Sequence, residues 1–249
     1  MFKKLVLAAA FCATASFATW DKFPVLEDHK GEMVVGTEFN RRGEFDLLQL
    51  TPYLGTRFTV LPNLELAMLL PYYVNLNMNN DNGLSNPKLM ARYQITPSVN
   101  VFLDASVPVS EGYFIYKAWV FNFGAQFSQN FGIVNLGAEL GFALNTEGDN
   151  DFTPPFRLNF GVETDFKLGA FTPFVGADVL MLLGKFTEDG ENVGKSYTGE
   201  SVVYPYLGLK YAITPNVSVQ ASAKTAFGHE DLTGSDTPVI ADLSVKMAF

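Results

Sequence analysis

An alternation of apolar and polar residues with a period of two runs through most of this 249-residue chain. Between residues 64 and 77 the apolar positions are Leu64, Leu66, Met68, Leu70, Tyr72, Val74 and Leu76. The positions between them include Glu65, Ala67, Tyr73, Asn75 and Asn77. Because successive side chains of a β-strand point to opposite sides, this pattern predicts strands with one apolar face.

Turn signals divide these stretches into twelve predicted strands. Their ranges are roughly 32–40, 45–60, 64–77, 88–96, 99–108, 116–127, 131–144, 156–166, 170–183, 201–213, 217–228 and 238–249. A Pro followed by Asn or Ser forms a recurring short turn after residues 61, 96 and 214, and other short turns are predicted at 128–130 and 167–169. Long polar connections alternate with these short turns.

The alternation fits a soluble β-sandwich with an apolar core as well as a membrane barrel with an apolar outer face. Aromatic residues on the apolar face favour the barrel, because they lie near both strand ends as in two interfacial girdles. The final strand also ends on Phe249, which resembles the assembly signal of bacterial outer-membrane barrels. We therefore predict an all-β, transmembrane, antiparallel up-and-down β-barrel of about 12 strands, with a periplasmic or secreted sandwich as the alternative.

Residues 1–18 are typical of a signal peptide, with Lys3 and Lys4 before an apolar stretch and a small-x-small cleavage site ending at Ala18. Cleavage removes Cys12, the only cysteine, so disulfides and thiol catalysis are excluded for the mature chain. Cys12 as a lipoprotein anchor is the weaker alternative, since the bulky Phe11 precedes it. The predicted organisation is a signal peptide at 1–18, a periplasmic N-terminal segment at 19–31 and a barrel at 32–249 in a bacterial outer membrane.

The polar face of the predicted strands would line the barrel lumen. Its charged candidates are Glu38, Arg57, Glu65, Lys88, Arg92, Asp104, Glu139, Arg157, Glu163, Asp165, Asp178, Lys210, Lys224, Asp242 and Lys246. With seven basic and eight acidic residues in this set, the lumen is almost neutral, which argues against a channel specialised for anions such as acidic sugars. These charges either pair across strands and stiffen the interior or leave a water-filled path between them.

Inward glycines and the strand number limit the size of any pore. Twelve strands lie between the filled eight-stranded barrel and the open channels of 16 to 18 strands, so a pore would be narrow. The inward glycines either leave space at the wall or relieve crowding; they are Gly36, Gly55, Gly124, Gly137, Gly141, Gly161, Gly176 and Gly208.

The excess of acidic residues, with a formal net charge of -9 and a pI near 4.7, lies mainly in the long loops. It excludes a general affinity for nucleic acid, which needs clustered basic residues. The acidic loops are either an entrance favouring cations and neutral solutes, carboxylates bridged to the lipid surface by divalent ions, or simply solvated loops. No cofactor or metal site is predicted, and His229 with Glu230 and Asp231 is too weak a constellation to predict catalysis.

Two runs resemble the outer-membrane barrels of the meta-pathway phenol-degradation type. Residues 63–72 (NLELAMLLPY) lead from a turn into a strand ending in Pro-Tyr, and residues 83–93 (GLSNPKLMARY) contain a glycine loop and a strand ending in a basic-aromatic pair. Residues 205–216 repeat part of the pattern. The resemblance implies the barrel architecture and a transport role for hydrophobic or aromatic compounds, and no binding residue.

These observations favour a narrow, passive channel for small solutes in the outer membrane. A closed structural or surface-interaction barrel with acidic extracellular loops is the second hypothesis, and an outer-membrane hydrolase is the third. The expected partners are outer-membrane lipid and lipopolysaccharide, the barrel-assembly machinery and small solutes. The N-terminal segment, residues 19–31, is expected either to plug the periplasmic mouth or to hang free.

Overall fold

The computed structural model describes residues 20–42, 47–77, 82–110, 117–148, 151–193, 196–233 and 237–249. The predicted signal peptide at 1–18, with Thr19, lies outside these ranges.

Twelve long strands form one sheet, and we number them in chain order. They are β1 Gly31–Arg42, β2 Leu47–Leu61, β3 Leu64–Asn75, β4 Lys88–Thr96, β5 Val99–Ser106, β6 Val120–Phe131, β7 Val134–Asn145, β8 Phe156–Phe166, β9 Phe171–Leu183, β10 Ser201–Thr214, β11 Val217–Thr225 and β12 Val239–Ala248. Every strand pairs antiparallel with its neighbours in sequence, and β1 also pairs with β12. The sheet is therefore a closed up-and-down barrel, as predicted.

The first and last strands meet in a complete seam. The β1–β12 pairing runs from Glu32 opposite Ala248 to Arg41 opposite Val239. Beyond it, Gly31 and Phe249 exchange two backbone hydrogen bonds of 2.9 Å. Closure satisfies the backbone groups of both edge strands, which is required wherever a strand faces lipid.

The turn between β6 and β7 differs from the prediction. It lies at residues 132–133 rather than 128–130, so β6 begins and ends four residues later than predicted, and β7 begins three residues and ends one residue later. Gly132 has φ +81°, a conformation that glycine adopts without strain, and its N–H donates to the Asn130 side-chain oxygen at 2.8 Å. The Ser and Asn residues at 128–130 thus belong to the strand, and glycine makes the turn.

Connections divide the barrel into a turn end and a loop end. The start of β1, the end of β12 and five short turns lie at the turn end, whereas the longer connections from β1 to β2, β3 to β4, β5 to β6, β7 to β8, β9 to β10 and β11 to β12 join strand ends at the loop end. Apolar side chains on the outer face stay exposed along the whole wall; examples are Val35 at 58%, Leu140 at 54% and Leu207 at 64%. No helix in the described ranges is long and apolar enough to cross a membrane.

Three connections fold together over part of the loop end. Phe152–Thr153, Phe186–Glu188 and Glu191–Val193 form a small three-stranded sheet, and Glu230–Thr233 forms one helical turn. Beneath them lies an apolar cluster that includes inward side chains of β9 and β10; its buried members are Leu180, Leu182, Phe186, Tyr197, Val202, Tyr204, Ala226 and Leu232. We call these residues the loop-end cluster.

Candidate functional site in the barrel lumen

The described part of the N-terminal segment, from Trp20 to Lys30, enters the barrel from the turn end. The Trp20 indole N–H donates to Glu32 at 2.6 Å, and the Arg57 guanidinium lies 5.5 Å from the Trp20 ring centroid. Further along, the Leu26 N–H donates to the Glu65 carboxylate at 3.0 Å. The segment is therefore a plug in this half of the lumen, which settles the alternative between plugging and hanging free.

Asp21 joins two buried arginines of the barrel wall. Its carboxylate oxygens lie 2.9 Å from Nη1 of Arg57 and 2.9 Å from Nη1 of Arg92. Arg92 also donates from Nε to Glu65 at 2.9 Å, and both of these side chains are almost completely buried. Burial alone raises the pKa of Asp21, but Arg57 and Arg92 outweigh it and hold the pKa below its ordinary value.

Lys22 makes the corresponding contacts on the opposite wall. Its ammonium group lies 2.8 Å from the Asp178 carboxylate and donates to the Tyr206 hydroxyl at 3.1 Å, with Lys22 only 4% exposed. Burial is the largest single influence and lowers the pKa of Lys22, yet the attractions of Asp178, Tyr206 and Glu139 together outweigh it and raise the pKa overall. Adjacent residues of opposite charge thus anchor the segment to both sides of the barrel.

Inward glycines make room for this segment rather than for an open pore. A Cβ atom at Gly55 would lie 2.8 Å from the Trp20 ring, and one at Gly137 would lie 2.7 Å from the Lys22 carbonyl oxygen. At Gly161 it would overlap the Lys22 side chain itself. Tyr53, Tyr206 and Phe174 fill the space beside other inward glycines. The interpretation of free space at the wall is wrong at these positions.

The other predicted lumen residues lie on the same inner face, and most are paired. Lys210 contacts Glu163 at 3.1 Å and Asp165 at 2.9 Å, and Lys224 lies 3.9 Å from Asp178. The Tyr53 hydroxyl donates to Asp242 at 2.7 Å, and Gln126 donates to Glu139 at 2.7 Å. Lys88 interacts electrostatically with Asp104 and Glu38, and Lys246 interacts with Glu32 and Asp21. Arg157 is the exception considered below. A role of these residues in conduction stays a prediction.

The loop-end cluster is an apolar part of the lumen that the prediction missed. In β9 the inward positions change from Asp178 to Leu180 and Leu182, which are 0% and 1% exposed. The unbroken apolar run Val179–Leu183 carries the signal, because it makes the inward face of the strand apolar as well as the outward face.

His229 lies in this loop-end structure with its ring 6.0 Å from that of Tyr197, in an edge-to-face arrangement. The side chains of Glu230 and Asp231, like Asp149 and Asp236 of the acidic loops, lie outside the described set. Among the described side chains, no group of three or more His, Cys, Asp and Glu residues is arranged to hold a metal ion.

An apolar outer wall, a polar and charged interior and a closed ring of twelve strands together define a transmembrane β-barrel of the bacterial outer-membrane class. A family model described as "Putative MetA-pathway of phenol degradation" matches residues 33–238. The chain belongs to that family. No curated protein sequence matches it.

Solved structures share the fold at low sequence identity. The COG4313 outer membrane channel from Pseudomonas putida F1 is 11% identical, with a TM-score of 0.73 over 94% of this chain and 100% of that one. The NanC porin is 9% identical, with a TM-score of 0.58 over 86% and 98%. The translocator domain of the autotransporter NalP from Neisseria meningitidis is 13% identical, with a TM-score of 0.54 over 98% and 99%. These likenesses establish the barrel architecture.

Proposed function

We propose that the protein is an outer-membrane channel through which small solutes diffuse passively. The observation that carries this proposal is a hydrophilic inner face enclosed by a lipid-compatible wall. The similar proteins named as a channel and a porin support the same function. The N-terminal segment at one end and the folded loops at the other make the path narrow.

The orientation follows from the connections. Short turns face the periplasm and long loops the outside in barrels of this class, so the N-terminal segment lies on the periplasmic side. This arrangement requires export and cleavage of residues 1–18, followed by insertion by the barrel-assembly machinery into a membrane of lipid and lipopolysaccharide. Mass spectrometry of the mature protein tests the cleavage, and a mature chain that still carries residues 1–18 would contradict it.

Conductance across a planar lipid bilayer tests the channel. Wild-type protein whose folding is verified by its heat-modifiable migration in gels is expected to give small, steady current steps. A filled eight-stranded barrel inserted in the same way provides the baseline. Folded protein with no current and no solute flux in vesicles would exclude a channel.

A closed barrel that binds partners through its acidic loops is the second candidate. The burial of Arg92 and Glu65 against the N-terminal segment favours it, because water has little access to that part of the lumen. Retention of a partner by wild-type protein, lost when the acidic loops are exchanged for neutral ones, supports this candidate if conductance is also absent.

We propose no catalytic role. The similar structures named above are a channel, a porin and a translocator domain, and His229 is packed against Tyr197. Any lipid or peptide hydrolysis measured in a preparation should therefore be the same for wild-type protein and His229→Ala. Loss of hydrolysis in the variant would support the hydrolase hypothesis instead.

A further inference from the structure

Arg157 is a buried guanidinium on the inner face of β8, near the loop end. It lies opposite Ala143 of β7 and Leu182 of β9 in the strand pairing and is 4% exposed. Within the described part of the chain, its one hydrogen bond runs from Nη2 to the side-chain oxygen of Asn145 at 3.3 Å, and its buried Nε has no partner there. At least one donor of this buried guanidinium is thus left without an acceptor.

Every other inward cation considered above has a carboxylate beside it. Arg57 and Arg92 contact Asp21, Lys210 contacts Glu163 and Asp165, and Lys224 lies near Asp178. Arg157 makes no ion pair with any described carboxylate, and the nearby Lys88 is itself balanced by Asp104 and Glu38. A charge that is buried away from water is costly unless an opposite charge lies beside it. Arg157 has no such partner among the described carboxylates, so its surroundings favour binding of an anion.

The groups around Arg157 indicate the chemistry of that anion. Neutral amides lie on one side, where Asn159 donates to Asn122 at 3.0 Å and leaves its own buried side-chain oxygen without a partner. Leu182 and Tyr204 of the loop-end cluster lie on the other side and are 1% and 2% exposed. This environment suits a planar, singly charged group that is attached to an apolar body. It suits a dianion such as phosphate less well.

We propose that Arg157 binds the carboxylate of small apolar organic acids within the lumen. The planar fork of a guanidinium matches the two oxygens of a carboxylate, and the neighbouring apolar side chains face the body of the acid. The lumen as a whole stays nearly neutral, so this is a local site and not a general preference for anions. This inference rests on the proposed function, because the acid must enter the channel to reach Arg157.

Calorimetric titration of the folded barrel in detergent tests the site without requiring conduction. The probes are benzoate and benzyl alcohol, which share the ring and differ in the charge. Wild-type protein should bind benzoate and not benzyl alcohol, and Arg157→Gln should weaken benzoate binding by about tenfold or more. Lys210→Gln removes one lumen charge near the turn end and serves as the matched control, with benzoate affinity preserved.

Equal loss in Arg157→Gln and Lys210→Gln would show a general effect of lumen charge and overturn the site. So would equal affinities of wild-type protein for benzoate and benzyl alcohol. If Arg157→Gln does not fold, Arg157→Lys decides: it keeps the charge without the fork, so an undiminished benzoate affinity would contradict the proposal. Benzoate binding that depends on Arg157 in a barrel without conductance would refute the channel and keep the site, whereas conductance without benzoate binding would refute only the site.

Discussion

Glu65 is the residue at which the barrel wall and the N-terminal segment depend most closely on each other. Its carboxylate accepts from Arg92 and from the backbone of Leu26, lies 3.7 Å from Arg57 and is 1% exposed. Removing one partner from a buried ion pair leaves an uncompensated charge, which costs more than the pair itself contributes.

Glu65→Gln is therefore expected to lower the free energy of unfolding by about 3 kcal/mol. Urea unfolding of the protein in lipid vesicles, followed by tryptophan fluorescence, measures the change. Glu191→Gln, in an exposed position of the loop-end sheet, is the control and should have no measurable effect. Equal stabilities of the two variants would contradict the buried network.

The contributions of Asp21 and Lys22 to docking of the segment should be insensitive to pH from about 4 to about 10. Because the pKa of Asp21 is held below its ordinary 3.8, its contribution is present above that value and is lost only as the pH falls through the lower folded pKa. The pKa of Lys22 is raised above 10.5, so its contribution is lost only at still higher pH. In Trp119→Phe, where Trp20 is the remaining tryptophan, emission should stay constant over this range; a transition near pH 6 would contradict the assignment.

At the scale of elements, the N-terminal segment is the part of the site that could not be predicted. The lumen charges are visible in the alternation, because position in a strand decides which face a side chain takes. The contacts of Asp21 and Lys22 join residues more than 35 and 150 positions apart, and no local pattern marks them. The position of a short irregular segment is set by contacts with residues that are distant in sequence.

Gly161→Leu should displace this segment while leaving β8 in the barrel. The new side chain would occupy the space of the Lys22 side chain, so the Lys22–Asp178 ion pair would be lost. We expect faster proteolysis between residues 20 and 30 and a larger conductance than in wild-type protein. Phe160→Leu is the control, because it changes the outward face of β8 and should leave the proteolysis rate and the conductance unchanged. Gly169→Leu would not serve, since Gly169 has φ +67° and any side chain there strains the backbone.

The elements themselves were predictable where the alternation is strong. The ranges of β4 and β8 agree with the prediction to the residue, since Pro-containing turns and long polar loops bound them clearly. The β6–β7 turn was displaced because Ser128 and Asn130 carry turn chemistry but remain in the strand, and Gly132 alone has the conformation the turn requires. The folded loops were not predicted, since their apolar residues are scattered over several connections.

At the scale of the whole molecule, the last residue takes part in closing the ring. The Phe249 ring lies against Gly31, where a Cβ atom would overlap it, and the two residues exchange backbone hydrogen bonds. The predicted role of Phe249 as an assembly signal is thus accompanied by a structural role at the seam.

Phe249→Ala should reduce the fraction of protein that reaches the heat-modifiable, folded form in the outer membrane. Quantitative gel analysis of membrane fractions measures it. Phe166→Ala, which removes another outward aromatic residue at the turn end, is the control and should have the smaller effect. Folding of a Phe249→Ala chain as efficient as that of the control would mean that the terminal ring is dispensable.

The seam between β1 and β12 also determines which chains can close the barrel. A chain interrupted anywhere before its final strand offers no partner to β1, so its first strand keeps a row of unsatisfied backbone groups that lipid cannot solvate. Only chains that include β12 can reach a state without open strand edges. Chains that lack β12 should therefore remain more accessible to proteases than the closed barrel.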